Sequence, residues 1–245
     1  MNVNILSKYR SQLMGIAILL VALFHSNIVR TNNALDYICF TGDIGVDIFF
    51  FLSGFGMFYA YLKKPTLKEF YWKRFARIVP VWFLVNLYIQ LDNVGFQFHR
   101  INLLEFFKQM TGLSFWMDGN LYFWYIPAQL AFYFITPLFM YFYTKNKKKA
   151  YFAFGTTWIF LLLVSILVHD AKYFIFLFRW PVYFLGIGIG ELSYKQKSIS
   201  KRQIATLMFL MLAGFLLVDF IRKNNGHGII RYDYKYLAYI FIVFP

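Results

Sequence analysis

Charged residues are scarce in this sequence, and cysteine is nearly absent. Only 15% of its 245 residues are charged, against about 25% in a typical soluble domain. Because Cys39 has no second cysteine in the chain, intrachain disulfides and cysteine-based metal clusters are excluded. Histidine pairs at zinc-binding spacing, glycine-rich phosphate loops and nucleophile elbows are missing too. We therefore expect no metal site and no bound cofactor.

Apolar and aromatic residues are what the sequence has in excess. Hydrophobic residues make up 60% of the chain and aromatic residues 23%, a composition typical of membrane proteins. Acidic residues number 11 against 25 Lys and Arg, which gives a net charge of +14. Since the basic residues lie between apolar runs, we interpret them as determinants of membrane topology. We expect membrane lipids and no nucleic acid as partners, because no basic stripe on a soluble element is visible.

The apolar runs predict an all-α, polytopic membrane helix bundle that forms one domain over residues 1–245. A membrane-crossing helix needs about 20 mostly apolar residues, and that rule gives about eight segments here. Residues 101–117 are apolar only in patches and predict an interfacial or re-entrant helix. The segments are 12–30, 44–62, 78–91, 122–143, 151–168, 173–192, 203–221 and 236 onward.

The loop charges predict the orientation of these segments. Three loops are strongly basic, namely 63–74, 145–149 and 195–202, whereas the alternate loops carry acids. Because basic loops stay in the cytoplasm, the N-terminus is predicted to be cytoplasmic as well. The segment 236–245 holds about ten residues, half of what a crossing requires. We therefore expect the last span to be cut short.

Two ionisable residues lie inside the first two predicted spans. His25 is near the outer end of the first and Asp47 near the outer start of the second, so we expect them at similar depth on adjacent antiparallel helices. Ionisable residues inside spans usually mark function or a buried pair. A carboxylate beside an imidazole raises the basicity of the ring, as a general base requires. A purely structural hydrogen bond, or two side chains that reach the interface separately, agrees with the sequence equally well.

Small residues flank the bulky block of the second span. Gly42, Gly45, Gly54 and Gly56 allow close approach of a neighbouring helix, which is the simpler interpretation. A cavity faced by Ser53 is the alternative.

Basic residues recur at helical spacing in FYWKRFARIVPVWF, residues 70–83, where Pro80 is predicted to open the third span. An amphipathic interfacial helix of this kind can anchor to anionic lipids. Arg74 and Arg77 could instead clamp a phosphorylated cytosolic ligand, since the arginine fork matches phosphate geometry. The residues alone favour lipid anchoring.

Gln129 lies in mid-span with Pro127 and Pro137 on the same predicted helix. Prolines in spans free backbone carbonyls that protein or water must satisfy. An irregular, protein-lined cavity is therefore predicted around this helix.

Four stretches together resemble acyltransferase family 3, the polytopic bacterial O-acyltransferases. The first is similar to the family's opening helix, which ends in a histidine, and the third to its Arg-x-x-Arg-Ile-x-Pro element. All four occur in the family's order and roughly its spacing. They are GIAILLVALFHS (15–26), GVDIFFFLSGF (45–55), RFARIVP (74–80) and FWYIPAQLAFYFITP (123–137).

The resemblance implies transfer of an acyl group, commonly acetyl, to a carbohydrate or lipid-linked glycan at the bacterial inner membrane, with acetyl-CoA or another acyl-CoA as co-substrate. His25 would be the essential histidine, assisted by Asp47. Arg74 and Arg77 would bind the CoA phosphates, which raises the clamp above lipid anchoring for this pair. The residues expected to bind substrate or CoA are Arg74, Arg77, Arg10, Ser53, Gln129, Tyr133 and Trp124.

The chain departs from the family pattern in three respects. The basic residue usual eleven positions before the histidine is Met14 here, and Arg10 is the candidate substitute. Gln129 stands where a glutamate is common. Family members also tend to be longer, with about ten spans, which predicts an incomplete copy. Two alternatives to an active enzyme therefore stay open: a proton-coupled transporter or flippase-like protein that uses His25 and Asp47 as a relay, or a non-catalytic truncated member.

Overall fold

The computed structural model describes residues 3–26, 33–94, 102–167, 173–224 and 235–243, and these residues form thirteen helices. The chain divides into two compact units, and no linker in the sequence marks the division. Unit 1 combines Met1–Lys63 with Leu177–Pro245, and unit 2 is Lys64–Phe176. In chain order the helices are α1 (Ile5–Lys8), α2 (Arg10–His25), α3 (Asn33–Thr41), α4 (Ile44–Leu62), α5 (Leu67–Val94), α6 (Leu103–Thr111), α7 (Leu113–Asp118), α8 (Tyr125–Lys145), α9 (Lys147–Leu167), α10 (Phe174–Leu177), α11 (Trp180–Tyr194), α12 (Lys201–Asn224) and α13 (Lys235–Val243).

Within the described ranges, six helical stretches are long and apolar enough to cross a membrane, which confirms the all-α polytopic class. They are Asn33–Leu62, Leu67–Asp92, Tyr125–Lys145, Lys147–Leu167, Phe174–Tyr194 and Lys201–Asn224. The first and last predicted segments are shorter than a membrane crossing within the described residues. Helix α2 has 16 residues and α13 has nine, and part of each predicted segment lies outside the described residues.

Helix α5 corrects one predicted boundary. The sequence predicts that Pro80 opens the third span, with 78–91 short enough to begin inside the amphipathic stretch before it, and the structure joins both in one helix of 28 residues with Pro80 inside it. Proline lacks the N–H that would bond the carbonyl one turn earlier, but membrane helices tolerate this loss where neighbours or water satisfy the freed group. The basic residues and the apolar span therefore belong to one continuous helix.

Helices α4 and α11 form the core of unit 1 by close parallel packing. A Cβ at Gly54 would overlap the Tyr183 carbonyl oxygen, and one at Gly186 would overlap the Phe51 carbonyl oxygen. Further along, the Tyr59 hydroxyl donates to Ser193 Oγ at 3.0 Å. The glycines thus serve helix packing, the simpler of the two interpretations offered by the sequence.

Helix α2 packs antiparallel to α4 and also contacts Gly42, in the turn between α3 and α4. Gly45 lies against Ala17 and Gly42 against Leu20 and Phe24. At the other end of α2, Arg10 lies against α4. These contacts fix the depth of every side chain on α2 relative to α4.

Unit 2 contains α5, the α6–α7 pair, α8 and α9. The predicted helix at 101–117 is present as two helices of nine and six residues, separated by Gly112, whose φ of 75° is the left-handed conformation that favours glycine. A Cβ at Gly112 would also crowd the Pro127 ring at 2.6 Å. This turn therefore sets the approach of the α6–α7 pair to the start of α8.

Candidate active site

His25 is the last residue of α2, and its side chain is exposed. The ring of Phe24 meets it edge-on with centroids 5.0 Å apart. Ser26 closes the helix, because its hydroxyl donates to the Leu23 carbonyl at 2.7 Å. No hydrogen bond to the imidazole comes from the residues that the structure describes. The ring is therefore exposed, and neither of its nitrogens is hydrogen-bonded within the described residues.

Asp47 does not pair with His25, which corrects the predicted dyad. Gly45 already lies beside Ala17, which is eight residues or roughly 12 Å from His25 along α2, and Asp47 lies deeper still because α4 runs antiparallel to α2. Its carboxylate instead lies 3.5 Å from Arg179 Nη2, and both residues are almost fully buried, with 0% and 1% exposure. The expectation of equal depth failed because α3 and its turn, rather than α4, pack beside the end of α2.

Asp47 and Arg179 belong to a larger group of buried charges, which we name the buried charge cluster: Asp43, Asp47, Arg179 and Lys235, with Tyr236 and Tyr239 around them. Lys235 Nζ lies 2.7 Å from Asp43 Oδ2 and donates to the Phe40 carbonyl at 3.3 Å. The Tyr239 hydroxyl donates to Asp43 Oδ1 at 2.7 Å. Arg179 Cζ lies 3.9 Å from the centre of the Tyr236 ring. Two carboxylates and two cations make the cluster electrically neutral.

Sequence reasoning missed Arg179 and Lys235, although a signal for the first was present. Arg179 interrupts YFIFLFRWPVYFLG, residues 173–186, and an arginine inside a predicted span is a candidate for function or pairing. Lys235 stands directly before the apolar run 236–243, where a flanking lysine usually marks an interface. Only the packing of α13 against Phe40 and Asp43 shows that it is buried.

Arg10 lies at the opposite end of α2 from His25. Its Nη2 donates to the Leu52 carbonyl at 3.2 Å, and its guanidinium occupies the space beside Gly56. Met14, one turn further along α2, is 39% exposed. Ser53 is half-buried on α4 between these contacts. Arg10 thus packs against α4 and stays about 22 Å from His25 along the helix axis.

In unit 2, the structure distinguishes the two arginines of the basic pair. Arg74 is half-buried, with Cζ 4.1 Å from the centre of the Phe70 ring and 5.9 Å from that of Tyr133. Its Nη1 also donates to the Phe70 carbonyl at 3.1 Å. Arg77, one turn along α5, is exposed. Arg74 and Tyr133 are therefore brought together, whereas Arg77 is left accessible.

The other two predicted residues of unit 2 lie on α8. Gln129 is buried with 1% exposure, and neither its amide oxygen nor its amide nitrogen has a hydrogen-bond partner among the described residues. Buried polar groups are normally bonded, so this amide is a candidate for contact with a ligand or water. Trp124 is half-buried at the N-cap of the same helix. No group of three or more His, Cys, Asp or Glu able to hold a metal ion is found in the described part of the chain.

Comparison with known proteins gives one result. The family model of acyltransferase family 3, described as an acyltransferase domain, matches residues 12–245. No curated protein and no solved structure matches the chain. The matched range contains the helix that ends in His25, the glycine-rich helix α4, the basic part of α5 and α8. The chain therefore belongs to acyltransferase family 3 and is a multi-pass membrane protein of that family.

Proposed function

We propose that the protein is an O-acyltransferase of the bacterial inner membrane that moves an acyl group, most simply acetyl, from acyl-CoA to a hydroxyl of an envelope carbohydrate. The observation that carries this proposal is the family match over residues 12–245, combined with an exposed histidine at the end of α2. A buried, ion-paired histidine would argue against a catalytic base, because its nitrogens would already be occupied.

His25 acts as the general base in this proposal. An imidazole nitrogen accepts the proton of the acceptor hydroxyl while that oxygen attacks the thioester carbonyl. A carbon–oxygen bond forms, the carbon–sulfur bond breaks, and the CoA thiolate leaves with the proton that the imidazolium returns. An acyl-histidine intermediate is the alternative route. Asp47 has no direct part in either route, because its carboxylate faces Arg179.

Arg77 is the residue that we propose to hold the CoA phosphates, with Arg74 in support. Phosphate binding needs a guanidinium whose fork is open to the ligand, and Arg77 is exposed. Arg74 lies on the Phe70 ring and bonds the Phe70 carbonyl, so it is held close to α5. The donor is cytosolic and His25 is predicted at the outer side, so the acyl thioester must travel between helices to reach it.

The test is transfer of labelled acetyl from acetyl-CoA to envelope glycans in membranes that contain the wild-type chain, His25→Ala or His169→Ala. The sequence assigns no chemistry to His169, so that variant controls for loss of a histidine. We expect wild-type and His169→Ala membranes to transfer label and His25→Ala membranes to show none.

Equal transfer by His25→Ala would remove His25 from the mechanism. No transfer by any variant, with the protein confirmed in the membrane, would contradict the enzyme and favour a transporter or a non-catalytic family member. Proton or solute flux that is independent of acyl-CoA would then identify the transporter.

A further inference from the structure

The buried charge cluster joins three separate parts of the chain within unit 1. Asp43 occupies the N-cap position of α4, yet its side chain makes no capping bond; it binds Lys235 and Tyr239 of α13 instead. Lys235 in turn bonds the carbonyl of Phe40 near the end of α3. A single ammonium group thus holds the start of α13, the end of α3 and the start of α4 at one point.

The same ammonium group reaches the end of α2. Lys235 Nζ lies 5.3 Å from the centre of the Phe24 ring and 4.6 Å from that of Phe40, both within cation–π range. The backbone at Gly42 also packs on Phe24 Cβ. Phe24 is the residue before His25, and its ring touches the imidazole edge-on. The last turn of α2 therefore contacts Lys235 and the α3–α4 turn, both through Phe24.

Because the Lys235–Asp43 ion pair is buried, it constrains the positions of the helices that it joins. Lys235 has 0% exposure and Asp43 has 6%, so little water competes for either charge. A buried ion pair adds little net stability over apolar residues, but it fixes the relative positions of its partners. Through Phe24, this contact extends toward His25, an exposed group with acid–base chemistry.

We propose that Lys235 is a positioning residue for His25: bound to Asp43 and Phe40, it holds Phe24 and so fixes where the imidazole stands. This inference rests on the proposed function, because it assigns the lysine a part in the work of the proposed base. It gives the start of α13 a role in the reaction although Lys235 need not touch substrate. A small displacement of a catalytic group can cost roughly a hundredfold in rate.

The test has one readout that needs no activity. Cys39 is the only cysteine, so Cys39→Ser with Ser26→Cys gives a single thiol beside His25 for a nitroxide spin label. In this background Lys235→Met keeps the aliphatic length and removes the charge, and Asp43→Asn with Lys235→Met leaves no lone buried charge if the single variant fails to fold. Lys223→Met is the matched control, because Lys223 also pairs with an aspartate, Asp219 at 2.6 Å, but is 66% exposed.

We expect the label at position 26 to be immobile with Lys235 and with Lys223→Met, and mobile in both variants that lack Lys235. In acetyl transfer, the loss of Lys235 should lower kcat by roughly tenfold to a hundredfold and leave KM for acetyl-CoA within about twofold, since the residues proposed to hold the donor, Arg74 and Arg77, are on α5. Lys235→Arg keeps the charge and should recover part of kcat. The charge-neutral double variant Asp43→Asn with Lys235→Met should not recover kcat. A role of Lys235 limited to charge balance would predict that it does.

Three results would overturn the proposal. An immobile label without Lys235 would show that the lysine does not hold the end of α2, whatever the activity. A mobile label with unchanged kcat would show that the position of this turn does not matter for catalysis. Absence of transfer by the wild-type chain would remove the proposed function and the positioning role together, while the label would still report whether Lys235 orders α2.

Discussion

At the scale of single residues, the main feature is the burial of complementary charges at one end of unit 1. Asp47 and Arg179 are among the least exposed residues of the chain, and neither carboxylate oxygen of Asp47 has a hydrogen bond within the described residues. Isolated charges are costly inside a membrane protein, so Asp47 depends on Arg179 and on its place in the first turn of α4, where the helix dipole favours an anion.

Replacing Asp47 by Asn should destabilise the protein by about 3–5 kcal/mol, because it leaves the Arg179 charge buried without its carboxylate. The double variant Asp47→Asn with Arg179→Met should regain most of that loss. Unfolding in detergent, followed by tryptophan fluorescence, measures both. Asp219→Asn is the control, since its pairs with Arg222 and Lys223 are partly exposed and should be worth less than about 1 kcal/mol. Equal losses at positions 47 and 219 would contradict this account.

Arg77→Ala should raise KM for acyl-CoA by about tenfold or more, the value of a charge-assisted hydrogen bond, with a smaller change in kcat. Steady-state kinetics on membranes measures the two constants separately. Arg202→Ala removes an exposed arginine from the start of α12 and controls for net charge. If Arg77→Ala behaves like Arg202→Ala, phosphate binding by Arg77 is wrong and the lipid interpretation of this helix stands.

At the scale of the helices, the parallel pair of α4 and α11 depends on residues without side chains. Gly54 and Gly186 each face the other helix's backbone, at Tyr183 and Phe51. A backbone carbonyl cannot rotate away as a side chain can, so even one methyl group must separate the helices. Such close approach is how helices gain packing energy in a bilayer, where lipid is as apolar as leucine.

Gly54→Ala should therefore destabilise unit 1 by about 1–3 kcal/mol, the usual cost of overpacking. Gly155→Ala is the matched control, because nothing lies within 4 Å of a Cβ at that position; helix propensity alone should stabilise it by up to about 1 kcal/mol. Thermal unfolding of the two detergent-solubilised variants gives the comparison. Unchanged thermal stability in Gly54→Ala would contradict the close contact between α4 and α11.

At the scale of the whole molecule, the membrane topology rests on charge as well as on length. Between α4 and α11 the described residues include three helices long enough to cross, α5, α8 and α9. An odd number of crossings returns the chain so that α11 runs parallel to α4, as the glycine contacts require. The basic loops at 63–74, 145–149 and 195–202 then share one side, which the positive-inside rule assigns to the cytoplasm.

In the Cys39→Ser background, Met117→Cys should react with a membrane-impermeant maleimide added to intact cells, and Lys148→Cys should react only after the membrane is opened. Met117 is 59% exposed at the end of the α6–α7 pair, and Lys148 is exposed in the first turn of α9. Gel-shift detection of the labelled thiol gives the result. The reverse pattern would invert the topology and place His25 on the cytoplasmic side.

The sequence by itself determined the class of this protein, its helices and its family. Hydrophobic length and loop charge act along the chain, so 44–62 and 203–221 could be recognised as helices without knowledge of their neighbours. The motifs ending in His25 and beginning at Arg74 are local too, and they carried the resemblance that the family match confirmed. The catalytic role of His25 remains a prediction.

Only the tertiary structure decided which charges meet. The pairing of Asp47 with Arg179, and of Asp43 with Lys235, joins residues more than a hundred positions apart. Their contact depends on how α11 and α13 pack on α4, which periodicity cannot predict. The same holds for the depth of His25, since the turn at Gly42, and not the length of the spans, sets the register of α2. Long-range packing, rather than composition, thus determines the electrostatic surroundings of the candidate site.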